Sequence, residues 1–234
     1  MSVNNIPIRP LAWIKKLCIK PREQKRPLKI HFGLYKGLKL LIEPYQDLQI
    51  CLGLWERETV CYIKKVACMC VWAIDVGAGA GELCIYILKS SNTSKIFGFE
   101  PVPTNFRKNL ILNGEENNKR MIISGNFIGT GNSHQITRLD SLNIDYEKPG
   151  FVKVDVEGAE LDVLKSGDLL FSSSKHISLL VETHSKGLEK ECIAWLEKRG
   201  YFCKVINNAW WRIFVPEYRP TPHNRWFWAE KSQH

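Results

Sequence analysis

The fold class follows from one segment, Ala73-Ile74-Asp75-Val76-Gly77-Ala78-Gly79-Ala80-Gly81-Glu82. An apolar run ends near a carboxylate and turns through three alternating glycines. A short apolar run bounded by glycine predicts a buried strand, Val71–Val76, followed by a helix over Leu83–Leu88. Glycines permit the tight turn between them and let a ligand touch backbone atoms. In sheets built this way ligands bind at the carboxyl ends of the strands.

Downstream, Lys95–Glu100, Met121–Ser124, Phe151–Val156 and Ile177–Glu182 predict further strands. Thr104–Leu112, Ala159–Leu164 and Leu188–Arg199 predict the helices between them, the last stopped by Gly200. Tyr201–Val205 and Trp226–Ala229 predict two closing strands. This alternation predicts an α/β fold: a Rossmann-like, doubly wound, mostly parallel sheet with right-handed crossovers and an antiparallel C-terminal edge. Upstream, Lys29–Pro44 predicts a β-hairpin with Gly37 near its turn. Glu56–Cys70 predicts a helix with Val60, Ile63, Val66 and Ala67 on one face. The division expected is a basic extension over residues 1–28 and one domain over 29–234. The extension holds a short helix between Pro10 and Pro21 and a basic linker, Arg22 to Lys29. Residues 10–29 could give weak attachment to an anionic membrane surface, but an arm packed on its own domain explains them better.

Composition narrows the function classes. Hydrophobic residues are 44% and charged residues 24% of the chain, a globular mix. No apolar run approaches the roughly 20 residues that span a bilayer. Charges recur through the first thirty residues, so no secretory leader is read and a cytoplasmic location is expected. The net charge is +9, yet 13 of the 33 Lys and Arg and only 5 of the 24 Asp and Glu lie at or before Lys65. The remainder is close to neutral, which argues against a nucleic-acid-binding face. The eight cysteines form no C-x-x-C pair and read as reduced core residues rather than a disulfide or zinc framework.

The glycine turn also selects its ligand. A dinucleotide fingerprint, G-x-G-x-x-G, would place a glycine where this chain has Glu82, and an acid there repels a pyrophosphate. It tolerates a cation, and S-adenosylmethionine carries a sulfonium and an ammonium. Gly77, Ala78, Gly79 and Gly81 would carry the backbone contacts, with Asp75 facing the ammonium. Glu100 ends the second strand about 20 residues further on, where a carboxylate accepts both ribose hydroxyls. Pro101 then turns the chain away, and Asn126, after the third strand, is placed near the adenine.

Four segments together resemble the FkbM methyltransferase family: Ala73 to Glu82, Gly98-Phe99-Glu100-Pro101, Asn109 to Asn113, and Phe151-Val152-Lys153-Val154-Asp155-Val156-Glu157-Gly158-Ala159-Glu160. Leu139-Asp140-Ser141-Leu142 and Val181-Glu182-Thr183-His184 fit it too, so the resemblance runs from about Lys29 to Lys204. It implies the class I methyltransferase fold and O-methylation of hydroxyls on small molecules or sugars. The acceptor itself is not implied.

Asp155, Glu182 and His184 are the candidate catalytic residues, because they end neighbouring strands beside the expected methyl group; Asp155 also lies against the cofactor. Asp155 or His184 could serve as general base. Alternatively Asp155, Glu157, Glu182 and His184 could hold a divalent metal that binds the acceptor hydroxyl. Asp155 and Glu157 could also merely cap the following helix. Glu160 is expected on an exposed helix side, and His31, His134 and His176 on the surface. Trp210, Trp211, Trp226 and Trp228 could form an aromatic wall, and His223-Asn224-Arg225 could reach the acceptor pocket. Three other functions compete. A nucleic-acid (RNA) methyltransferase would explain the basic extension, but the fourth strand lacks an N-P-P-Y or D-P-P-Y motif. A non-catalytic S-adenosylmethionine-binding module would not need Asp155 and His184. A nicotinamide dehydrogenase conflicts with Glu82.

Overall fold

The computed structural model describes residues 24–213 and 223–231. The expected helix between Pro10 and Pro21, Cys18 and most of the basic extension lie outside the described residues. In chain order the strands are β1 Arg26–Lys29, β2 Lys39–Ile42, β3 Trp72–Val76, β4 Lys95–Phe99, β5 Met121–Ser124, β6 Phe127–Ile128, β7 Ile136–Thr137, β8 Gly150–Val154, β9 Ile177–Thr183, β10 Tyr201–Ile206 and β11 Arg225–Lys231. Seven of them form one sheet in the order β10-β11-β9-β8-β3-β4-β5. β3 pairs in parallel with β4 and β8, and β11 runs antiparallel between β9 and β10. The chain builds outward from β3 to one side, then returns to build on the other. A crevice opens where the order reverses, and that is where such sheets bind ligands.

β3 and β8 are buried along their whole length. Strands covered on both faces must be apolar on both faces, and most of their residues are. One face carries Trp72, Ile74, Val76, Val152, Val154, Leu179 and Val181. The other carries Ala73, Phe151, Leu180, Trp226 and Trp228. Asp75, Lys153 and Glu182 alternate into register with this second set, so the sheet drives charges into a buried face at its carboxyl end.

Residues 24–59 cover that same face. β1 and β2 pair antiparallel with Leu28 opposite Leu40. Ile30, Leu34, Tyr35, Leu38, Leu40, Ile42 and Ile50 are buried in the cluster that holds Phe151 and Trp228. The hairpin expected over Lys29–Pro44 starts earlier, because β1 is Arg26–Lys29, inside the expected basic linker, where Leu28 packs on the core. The helix expected over Glu56–Cys70 is the shorter Val60–Ala67, preceded by a 3₁₀ turn at Arg57–Thr59. Among the described residues no helix is long and apolar enough to cross a membrane.

Other side chains depart from expectation. Cys70, Cys84 and Cys192 are buried, whereas Cys61 and Cys68 are exposed. Trp226 and Trp228 are 0% and 3% exposed within the core while Trp210 is 76% exposed, so they share no wall. The side chain of Trp211 lies outside the description. His31, His134 and His176 are exposed, as expected.

Candidate active site

The glycine turn opens into a cavity of about 450 Å³ at the carboxyl ends of β3, β8 and β9. A larger cavity, about 640 Å³, lies at the opposite ends of β8 and β9 beside Gly150 and Ile177. That one touches none of the predicted site residues.

Asp75, Gly77, Ala78, Gly79, Glu82 and Glu100 all line the first cavity. The N–H groups of Gly77 and Ala78 both donate to the Phe99 carbonyl, which ties the turn to the end of β4. Gly79 N–H donates to Glu100 Oε2 at 2.9 Å, and Val102 N–H donates to Oε1 at 3.2 Å. Glu100 is therefore fixed at the rim. Gly77 has φ +78°, and a Cβ there would lie 1.8 Å from the carbonyl oxygen of Asp155. Only glycine allows the turn to rest on the end of β8. Gly81 is different: a Cβ there would strike the Phe106 ring at 2.0 Å, and Gly81 is outside the cavity lining. Glycine is required there by the packing of the Phe106 ring and by the left-handed φ of +78°. Pro101 is exposed and also outside the lining. The Asn126 amide donates to Thr137 Oγ1 at 2.9 Å, which holds it in the β6–β7 region, likewise outside the lining.

The middle of the cavity is a buried charge cluster. Lys153, 6% exposed, lies 3.6 Å from Asp75 Oδ1 and 3.1 Å from Asp155 Oδ2. Burial disfavours its ammonium, but Asp155, Asp75, Glu56 and Glu182 outweigh that and hold its pKa well above the usual lysine value. Burial pushes Asp75 up against the pull of Lys153. Burial would also raise Asp155, but Lys153 and hydrogen bonds from Glu182 and Lys153 hold it below the ordinary carboxyl value. Glu82 is pushed up to about 7, mainly by burial. It is therefore only partly ionised near neutral pH, so its repulsion of a pyrophosphate is weaker than its sequence position implies.

At the acceptor end, Asp155, Glu182 and His184 each present one ligand atom within 4.8 Å of the others. His184 Nε2 is 4.0 Å from both Asp155 Oδ1 and Glu182 Oε2. His184 Nδ1 lies 2.6 Å from Glu160 Oε1, which also accepts the Gly158 N–H at 3.1 Å. An ionised carboxylate only accepts, so Nδ1 carries the ring proton and Nε2 faces the cavity. The hydrogen bond to Glu160 outweighs burial and raises the His184 pKa. Burial, then the charge of Asp155 and the hydrogen bond between them, drive Glu182 well above the usual range. Glu160 is 0% exposed, which overturns its expected place on an open helix side. It turns inward to anchor the imidazole. Glu157 lines the cavity but is exposed and outside the three-residue cluster. Asn224 lines the cavity, whereas Arg225 pairs with Glu189 in two hydrogen bonds and His223 Nε2 lies 3.4 Å from the same carboxylate.

Sequence reasoning missed Lys153, Glu56 and Tyr35. A signal for Lys153 is present: a charge interrupts each of two apolar strands, and the two charges face each other as Asp75↔Lys153. Glu56 carries no such signal. Instead of starting a helix, it adopts φ +46°, the sole non-glycine positive φ among the described residues. It is 9% exposed and lines the cavity. Burial pushes its pKa up to about 8.

Comparison with known proteins agrees with this geometry. The family model described as Methyltransferase FkbM domain matches residues 112–203, a shorter span than the resemblance read from the sequence. No curated protein matches the chain. Among solved structures, a precorrin-6y C5,15-methyltransferase from Geobacter metallireducens GS-15 is 16% identical, with a TM-score of 0.50, over 76% of this chain and 89% of that one. A ribosomal protein L11 methylase from Lactobacillus delbrueckii subsp. bulgaricus is 11% identical, with a TM-score of 0.51, over 77% of this chain and 80% of that one. At these identities the two structures share the class I methyltransferase fold and nothing finer. Taken with the glycine turn and the crevice beside it, these findings identify the chain as an S-adenosylmethionine-dependent methyltransferase whose residues 112–203 match the FkbM methyltransferase domain model.

Proposed function

We propose that the protein methylates a hydroxyl oxygen on a small molecule or sugar. The observation that carries this reading is the Asp155–Glu182–His184 cluster, which faces the cavity just past the glycine turn. Methyl transfer needs acceptor oxygen, methyl carbon and sulfur in line. The oxygen attacks the methyl carbon, the carbon–sulfur bond breaks, and its electron pair stays on sulfur to leave S-adenosylhomocysteine. An alcohol must also lose its proton, which a carbon or amine acceptor would not demand in the same way. The cluster supplies groups for that task at the required end of the sheet.

The donor side is assigned to Asp75, Gly77, Ala78, Gly79, Glu82 and Glu100. Glu100 receives the ribose hydroxyls, and the acids around Lys153 favour the sulfonium and ammonium. The same acidity disfavours a polyphosphate acceptor such as RNA. A cytoplasmic location fits a small-molecule acceptor.

Turnover of labelled S-adenosylmethionine against a panel of hydroxyl acceptors tests the proposal. Methylated product with sugars or alcohols, strongly reduced in His184→Ala, is the expected result. Methylation of tRNA instead, with a salt-sensitive gel shift, would replace it with the nucleic-acid reading.

A further inference from the structure

The tips of β8 and β9 offer more than a general base requires. A base needs one lone pair, yet three groups converge on one point. We propose that Asp155, Glu182 and His184 hold a divalent cation of the Mg²⁺ or Mn²⁺ class, which grips the acceptor oxygen. The role given to the ion rests on the hydroxyl-acceptor reading above; its binding does not.

Four observations converge. His184 Nε2 lies 4.0 Å from both Asp155 Oδ1 and Glu182 Oε2, too far for hydrogen bonds and wide enough for an ion between them, with metal–oxygen distances of about 2.1 Å. The ring is pinned from behind, because Nδ1 is held by the fully buried Glu160, outside the three ligands. A carboxylate behind a histidine in this way fixes the tautomer and aims the other nitrogen, as at metal-ligating histidines. Asp155 Oδ2 receives Lys153 at 3.1 Å, and Oδ1 faces His184 Nε2 at 4.0 Å. Finally, the cavity holds buried negative charge beyond this cluster. Asp75, 3% exposed, lines it with Oδ1 lacking any hydrogen-bond donor, and among the described residues Lys153 is the one cation in contact with that oxygen. Two carboxylate oxygens and one imidazole suit a hard to borderline divalent ion.

An ion here would lower the pKa of a bound hydroxyl. The released proton would pass to solvent water at the mouth of the cavity, where the exposed Glu157 stands. Of the four residues considered from sequence, Glu157 drops out, since it stands exposed beyond the cluster.

The test is a calorimetric titration of the chelator-stripped chain with Mn²⁺, paired with loss of the free-Mn²⁺ resonance signal. A single saturable site is expected. Glu182→Gln and His184→Ala should each weaken it by about tenfold or more, and Glu160→Gln by about tenfold. Glu157→Gln should change it by less than about twofold, as an exposed charge does. Absence of a saturable Mn²⁺ site in the unmodified chain would overturn the proposal. So would equal weakening by Glu157→Gln, which would reveal diffuse attraction. S-adenosylhomocysteine titrated in parallel separates the two readings. Binding and hydroxyl turnover that survive chelation would remove the ion alone. Mn²⁺ binding without hydroxyl turnover would keep the ion and remove the acceptor.

Discussion

The two halves of the cavity are built in opposite ways. The half proposed to bind the donor is a contiguous turn, Gly77 to Glu82, that offers backbone and is clamped to the neighbouring strand through Phe99 and Glu100. The half proposed to bind the acceptor is an assembly of side chains from distant parts of the chain. Asp155 follows β8, Glu182 and His184 lie at the end of β9, and Glu56 arrives from the amino-terminal segment. One half is positioned by local backbone geometry, the other by the register of a sheet. Changes in the first half should alter binding of the donor, and changes in the second should alter turnover.

The sharpest break of that contrast is His184→Ala. It should lower kcat by about 10²- to 10⁴-fold, the range for a lost acid–base or metal-positioning group. S-adenosylhomocysteine affinity should change little, and a matching loss of affinity would erase the division. Gly77→Ala lies on the seam between the halves. Its Cβ would sit 1.8 Å from the Asp155 carbonyl at a left-handed φ, so backbone must move. A stability loss of about 2–4 kcal/mol in chemical denaturation is expected, with weaker S-adenosylhomocysteine binding. Glu100→Gln should weaken S-adenosylhomocysteine by about tenfold in calorimetry while sparing turnover at saturating donor. A fall in saturated kcat would move Glu100 out of a binding-only role.

The smallest effect is one of pH. Glu82 and Glu56 are raised to about 7 and about 8 from an ordinary 4.5. Both retain protons in the folded state that the unfolded chain has released. Their contribution to stability is therefore complete below about pH 4.5 and is lost as pH rises through about 7 and 8. Denaturation midpoints of the ligand-free chain should fall over that window, and Glu56→Gln with Glu82→Gln should flatten the decline. An unchanged slope in the double variant would show that other groups set it.

The same division explains what could be read in advance. The sheet was legible because strand and helix periods alternate cleanly from Trp72 onward, and Thr104–Leu112 and Met121–Ser124 fall where the pattern places them. The glycine turn was legible because its pattern is local. What the local pattern did not show is that Gly81 also makes room for the Phe106 ring, 25 residues away in sequence. Asp155 and His184 could be named as strand-end polar residues, but Glu160 could not. Helical spacing shows which residues share a face, not that a buried imidazole will claim one of them. Glu56 was invisible for a similar reason: its left-handed backbone and burial follow from how residues 24–59 pack on the sheet, which no window of sequence records.

That packing has a consequence for how such a protein can change its habits. Tyr35, Trp55 and Glu56 reach the cavity from a segment that precedes the first strand of the central sheet. If the cavity binds as proposed, variation between β2 and the 3₁₀ turn would reshape the wall an acceptor meets, while β3, β8 and β9 would keep the methyl donor and its aim untouched. Choice of substrate and capacity for chemistry would then be written in separate stretches of one chain, each free to drift without erasing the other.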